Sequence, residues 1–413
     1  MTRAAAALVS IAVAVAAGCT QRTDLLPPQL DMELPPPACS GLGTPIRIGG
    51  SDGPCAGALA ASTVNRALCS CDSIDLAGGL FTQATSGSAP GQMGGGGSGG
   101  GDLGIGGGGG GVPPPGYPTA SVASDGDIDL VGSSEVGGDI SAGGTFGISF
   151  SHSTQILGDL RSAANFTASQ IGTVTGDAYV AADVAGRVVV LGTLYVSPDS
   201  TVSQQVVTGD FAVQPIDIAP PCNCTAGPVV DVAAVVDATA AQNDNAAAGL
   251  DATALATAHG PTAFTLPCGS YYLPSLTSDD TLEVHVQGRS ALYIGGDVSL
   301  ADGLRVTLDD TAAELDLFVG GNVSVETGMV GATSAAAVRL WLASSSVQLG
   351  TLATLSAIVY APDATFLAND GLNATGALFV GGLAVGGDVS VRFDPGVFAD
   401  GEACGESTTA PPP

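Results

Sequence analysis

Lysine is absent from this 413-residue chain, and ten arginines stand against 39 aspartates and glutamates, giving a formal charge of −29. Without lysine there is no P-loop phosphate binding and no Schiff-base chemistry. The negative balance offers no attraction to nucleic acid or to an anionic membrane surface. Aromatic residues are equally scarce: one Trp, seven Tyr and eleven Phe supply no broad stacking platform, and only Tyr271, Tyr272, Tyr293 and Trp341 suggest a small one. The three histidines, His152, His259 and His285, share no ligand spacing, and His285 alternates with apolar neighbours as an outward-facing strand residue does. Beyond the first residues no apolar run is long enough to span a bilayer.

What is present begins with a short basic start at Arg3, an almost wholly apolar stretch over residues 4–17, and Ala16-Ala17-Gly18-Cys19. The pattern predicts a signal peptide over residues 1–18, with Cys19 as the lipidated residue of the exported chain. It resembles the lipobox of bacterial lipoproteins, with Ala16 where Leu is usual; the alternative is an ordinary signal peptide beside a chance cysteine. The expected location is the outer membrane or cell surface, held by the N-terminal lipid. The other eight cysteines, Cys39, Cys55, Cys69, Cys71, Cys222, Cys224, Cys268 and Cys404, are even in number, so export into an oxidising compartment predicts disulfides of undetermined connectivity. The one-residue gaps in Cys69-Ser70-Cys71 and Cys222-Asn223-Cys224 are not those of zinc knuckles, and no metal or other cofactor is expected.

Composition shifts divide the rest. Residues 19–38, with Pro27-Pro28 and Pro35-Pro36-Pro37, read as an extended tether, and residues 39–83 as a Cys-rich segment with a helix near 57–68 leading into a first strand at Ile74-Asp75-Leu76. Residues 84–119 are a Gly/Pro-rich insertion with too little apolar surface to order itself. From residue 120 to 221, corners at Gly126-Asp127, Gly138-Asp139, Gly158-Asp159, Gly176-Asp177 and Gly192-Thr193 each introduce a brief strand, and glycine is expected there to relieve the φ constraint of the bend.

Residues 222–265 carry Ala-rich helical patterns over 229–241 and 252–258, the second flanked by Asp251 and Gly260. Residues 266–399 hold the clearest period-two segments, and 400–413 form a tail. The expected fold is mainly β: a right-handed β-solenoid in two strand-rich halves joined by a short helical crossover, able to share one continuous core. Val284, Leu304, Leu317, Leu340 and Val389 are expected to point inward, and Glu283, Arg305, Asp316 and Arg339 outward, where substitution is tolerated.

The C-terminal segments Leu266-Pro267-Cys268-Gly269-Ser270-Tyr271-Tyr272-Leu273, Glu314-Leu315-Asp316-Leu317-Phe318-Val319, Val359-Tyr360-Ala361-Pro362 and Gly376-Ala377-Leu378-Phe379-Val380 carry a resemblance. Roughly residues 222–398 resemble an uncharacterised domain of myxobacterial-type exported lipoproteins and of some pilus-assembly-associated proteins. The resemblance implies a β-helical surface protein and transfers no catalytic residues. Where that family ends its last strand on a His-Tyr-Asp-like triplet, this chain has Arg392-Phe393-Asp394.

Chemistry-bearing motifs are few. Gly49-Gly50-Ser51-Asp52-Gly53 fits the nucleophile-elbow pattern but lies in a loop-like segment, so a chance match is expected. Asp125, Asp127 and Asp129 alternate as calcium ligands can, without the Gly and Glu that an EF-hand loop requires. Asp279-Asp280 and Asp309-Asp310, the latter with Arg305 nearby, are similar to the acidic groups of β-helical polysaccharide-cleaving enzymes, whose Gly-His-Gly and Arg-x-Lys elements are missing. The sequence therefore favours a non-enzymatic cell-surface lipoprotein acting as a structural or adhesive scaffold. The alternative is a β-helix protein that binds or cleaves polysaccharide, with cell-surface or extracellular polysaccharide as the partner.

Overall fold

The computed structural model describes residues 43–49, 53–85, 120–222, 224, 230–351 and 354–399. Cys19, Cys39, Ser51 and Cys404 lie outside the described residues, as do residues 86–119. The body is a parallel β-solenoid of about 13 turns, so at roughly 4.8 Å per turn it is about 60 Å long. Each strand pairs in parallel with the strand one turn away. Alternation then sends every second side chain into a shared lumen: Leu282, Val284 and Val286 are buried while Glu283 and His285 between them are half-exposed. In the lumen of the half from Thr262 to Phe393 a gap of about 30 Å³ is lined only by aliphatic residues and Phe366, with no polar side chain to hold a water.

One lumen column shows how the chain is threaded. Leu282 lies on Leu304, followed by Val330, Leu355, Ala374 and Val391. The residue stacked beyond Val391 is Thr82, from the other end of the sequence, and then Val136, Ile156, Val174 and Val190 continue the column. The turn at this seam is built from both ends of the chain. Asp388–Phe393, Leu68–Ser70 and Ile74–Leu76 all pair with the long strand Gly371–Val385. In space the solenoid therefore runs from residue 262 to 393 and then from 68 to 213.

The two halves thus meet at the seam, and residues 214–222 carry the chain back along the outside rather than joining the halves end to end. From Val213 to Ser70 the stacked column passes Val196, Val180, Ser162, Ala142 and Ser124. Six spacings are about 29 Å, close to the reach of a fully extended chain from residue 213 to 222. At the seam this return limb is fixed by two disulfides, Cys69–Cys222 and Cys71–Cys224. Cys55 and Cys268 are also disulfide-bonded.

Helix α1 (Ala56–Thr63) precedes the first strand, Leu68–Ser70; the sequence placed this helix slightly too far along. Past the disulfides come α2 (Val232–Thr239), α3 (Asn245–Ala248) and α4 (Ala252–Ala256). Asp231 caps α2 by accepting from the Ala234 amide, and Asp251 caps α4 through the Thr253 and Ala254 amides. Helix α2 buries Val232 and Val236 and packs on the outer surface of the strands Gly269–Leu273, Arg289–Ile294 and Glu314–Val319.

That covering layer corrects two expectations. Asp316 and Arg339 do face away from the lumen, yet they are fully buried rather than tolerant surface positions. The Arg339 guanidinium clasps Asp316 through Nε at 2.7 Å and Nη2 at 2.9 Å, reaches Glu314 at 2.6 Å, and Trp341 Nε1 donates to Asp316 at 2.9 Å. Burial works against the guanidinium charge, but Asp316 and Glu314 outweigh it and hold Arg339 above its ordinary pKa. The aromatic platform is lost too: Tyr271 lies in a lumen column with Leu292 and Leu317, and the outward Tyr293 and Trp341 are buried. Tyr293 stacks on Phe318 at 4.7 Å and Phe318 on Trp341 at 5.8 Å, as part of the outward column beneath the helices.

The Gly-Asp corners are a stacking device. Asp139 Oδ1 accepts from the Asp159 amide at 2.9 Å, Asp159 from Asp177 at 2.9 Å, and Asp177 from Thr193 at 2.8 Å. Beside them the Gly158, Gly176 and Gly192 amides donate to the carbonyls of the preceding corner glycines. A Cβ on Gly158 would sit 2.2 Å from Asp139 Oδ1. These glycines do not have positive φ. Close approach of successive turns, rather than the dihedral freedom expected from the sequence, is what requires them. The seam repeats the device, with Asp388 Oδ1 accepting from the Gly79 amide at 2.7 Å.

Candidate functional site

The return limb and the outer surface beneath it enclose a groove of about 610 Å³, within the range of small-ligand sites. Its floor is the outward column Ser141, Arg161 and Tyr179, with Arg66 at one side and residues 214–221 as the other wall. The limb lies extended because Pro215, Pro220 and Pro221 disfavour helix and remove amide donors. Its alternation half-buries Ile216 and Ile218 and leaves Asp217 exposed. Gln214 N anchors one end on the Val196 carbonyl at 3.0 Å, and Asp125 anchors the other by accepting from Cys222 N at 2.7 Å and Cys224 N at 3.0 Å.

Two of the chain's ten arginines line this groove. Burial pulls the Arg66 guanidinium below its ordinary pKa, against the attraction of Asp139 and Asp125 and with the help of Arg161. Arg161 pairs with Asp159 at 3.2 Å and lies 5.4 Å from the centre of the Tyr179 ring. Tyr179 stacks on Tyr195 at 4.6 Å with the rings nearly parallel. Burial, then Asp177 and Tyr195, raise the Tyr179 pKa. The faces of Tyr179 are thus taken by Arg161 and Tyr195 and its hydroxyl donates to Asp177 Oδ2 at 3.4 Å, so it offers a ligand its edge and the hydroxyl oxygen as an acceptor. The groove suits hydrogen bonding to a polar, hydroxyl-rich molecule better than stacking against one.

The other candidates are dispersed. Asp125 is engaged by the return limb and Asp127 accepts from Phe146 N at 2.8 Å and Gly147 N at 2.7 Å, while Asp129 lies exposed beside Asp75 in the outward column. Among the described residues no group of three or more His, Cys, Asp or Glu converges as metal ligands do. Asp279-Asp280 precede the strand Leu282–Val286, and Asp309-Asp310 follow the neighbouring strand Leu304–Leu308. The pairs therefore stand in corners at opposite ends of these strands, about 20 Å apart. Asp279 instead accepts from Gly260 N and meets His259 at 2.8 Å. His285 faces outward between Glu283 and Asp309, 3.8 Å from each.

Sequence reasoning missed the groove because it depends on the return limb. Its only local signal was the proline content of residues 215–221 ahead of Cys222.

A family described as a domain of unknown function (DUF7305) matches residues 225–397. No curated protein and no solved structure matches the chain. The matched stretch starts just past the disulfides and takes in helices α2–α4 and the strands from Thr262 to Phe393, so it stops at the seam turn. The turns from Leu68 to Val213 stand outside it.

Proposed function

We propose that the chain is a non-enzymatic scaffold of the cell surface, exported by residues 1–18 and anchored in the outer membrane through a lipid on Cys19. The observation that carries this reading is the continuous solenoid with its external limb stapled by Cys69–Cys222 and Cys71–Cys224. Such a body is a rigid spacer with disulfides suited to an oxidising compartment, and it needs no chemistry of its own. No helix among the described residues is long and apolar enough to cross a membrane, so a lipid would supply the attachment. The Pro-rich residues 19–38 would hold the body away from the lipid surface. Labelling with a radioactive fatty acid tests the anchor: the wild type takes up label and Cys19→Ala does not, whereas label retained by the variant would refute it.

A second reading, polysaccharide binding without cleavage, is favoured by the mixed polar lining and volume of the Arg66–Arg161 groove. A binding screen across acidic and neutral polysaccharides, repeated with Arg66→Ala and Arg161→Ala, tests it. Binding that both variants leave unchanged would remove the groove from consideration.

A further inference from the structure

The two ends of the solenoid are finished differently. At the turn that begins with Thr262, the outer edges of the strands Gly269–Leu273 and Leu276–Ser278 are occupied by the chain itself. The Asn245 side-chain amide both donates to the Tyr272 carbonyl at 2.6 Å and accepts from its amide at 3.0 Å, in place of a neighbouring strand. Asp244 does the same for Ser270, through its own amide at 2.7 Å and its carboxylate at 2.8 Å, and Ala258 N takes the Thr277 carbonyl at 2.8 Å. At the other end the last strand, Val207–Val213, pairs only with Val184–Val196 among the described residues. Gln214 N bonds Val196 O, so by alternation the amides and carbonyls of Phe211 and Val213 point to the open edge. Their side chains continue lumen columns whose preceding members, Leu194 and Val196, are buried. With no turn beyond them, Phe211 is 53% and Val213 56% exposed.

A solenoid core cut open in this way needs a cover, and an unpaired strand edge is a template for another strand. We infer that the cover is a second copy of this chain, the strand Val207–Val213 pairing antiparallel with its own counterpart about a twofold axis so that the two lumens become one core. The contact closes at two copies, because a twofold pairing uses the same edge of both copies, and at the opposite end Asp244, Asn245 and Ala258 already occupy the edges of Gly269–Leu273 and Leu276–Ser278.

The chain's own remaining segments fit the place less well. The alternating residues 29–34 precede Gly43, which abuts Cys268 in the first turn, nearly the whole length of the body away and beyond the roughly 30 Å that the intervening residues span. Residues 400–413 contain no large apolar side chain, and residues 86–119 are mostly glycine and proline with no strand-length alternation. The charge of −29 on each copy opposes association, and salt screens it, so pairing strengthens as ionic strength rises. This inference takes residues 1–18 as removed on the proposed export and does not rest on the groove.

Sedimentation equilibrium on the purified full chain, in density-matched detergent, is the test. A monomer–dimer equilibrium is expected, with the dimer share growing with concentration and salt. The double variant Phe211→Asp, Val213→Asp should remain monomeric with an unchanged circular dichroism spectrum. Should that variant misfold, hydrogen exchange on the wild type replaces it: the Phe211 and Val213 amides should become more protected as concentration rises. A wild type monomeric at every concentration and salt would overturn the inference. So would a folded double variant that still dimerises, or concentration-independent exchange at those amides. A monomer that dimerises only after deletion of residues 86–118 would also overturn it, identifying the insertion as the cover.

Discussion

The two halves of this solenoid share one backbone plan and treat their outer surfaces oppositely. From Thr262 to Phe393 the outward column Tyr272, Tyr293, Phe318, Trp341, Tyr360, Phe379 is largely buried, with α2 packed over its first part. From Leu68 to Val213 the same column reads Cys69, Ala123, Ser141, Arg161, Tyr179, Tyr195, and only an extended limb crosses it. A strand pattern fixes which side chains leave the lumen, but whether those side chains meet water depends on what the rest of the chain lays over them. The covered half carries a buried ion pair, while the open half carries a surface pair and a groove.

The largest expected effect tests that contrast directly. Arg339→Ala leaves Asp316 charged and buried, and should cost about 3–5 kcal/mol in denaturant unfolding, whereas Arg161→Ala breaks only an exposed pair and should cost no more than about 1 kcal/mol. Similar small costs at both sites would mean that Asp316 is not sealed from water in the covered half. Next in size are lumen truncations. Leu317→Ala and Leu340→Ala should each lose on the order of 2–5 kcal/mol, against less than about 0.5 kcal/mol at the outward Glu283 or Arg305.

The corners should give a smaller and more uniform effect. Asp159→Ala within the open half and Asp388→Ala at the seam each remove one carboxylate that accepts a backbone amide, and each should cost roughly 1–3 kcal/mol. A much smaller cost at Asp388 would indicate that the seam is not packed like the other turns. Smallest is the response to pH. Asp183 is held below the ordinary carboxylate range by the Thr201 amide and hydroxyl. Asp279 is lowered by His259 and then Gly260, and Asp302 by Thr281 and then Thr327. A carboxylate depressed in the folded state contributes stability that is complete above its unfolded pKa and lost as pH falls through the folded value. The melting temperature should therefore decline on acidification through the carboxylate range, and the three Asp→Asn changes together should flatten that decline. A slope unaltered in the triple variant would contradict the assignment.

Much of the architecture was legible in the sequence because it is local. Period-two segments such as Leu282–Val286 and the recurring Gly-Asp corners mark strands and bends wherever they occur, and Asp251 announces the helix that follows it. The threading was not legible. Pairing of Val389 with Leu80 joins residues more than three hundred positions apart, and no local pattern distinguishes that partner from any other apolar strand. The fate of Asp316 and Arg339 was hidden for the same reason, since their alternation is that of surface residues, and the strand of Asp316 is covered by a helix lying far upstream in sequence. The groove followed from the threading, because only a chain that stacks its early strands on its late ones must send residues 214–222 back along the outside.

That return path is the centre of the account, and a peptide map of the unreduced protein tests it most directly. The account predicts one peptide pair joined through Cys69–Cys222 and another through Cys71–Cys224, each linking the seam turn to the limb. Bridges closed within Cys69–Cys71 and Cys222–Cys224, or free thiols at these four positions, would contradict it.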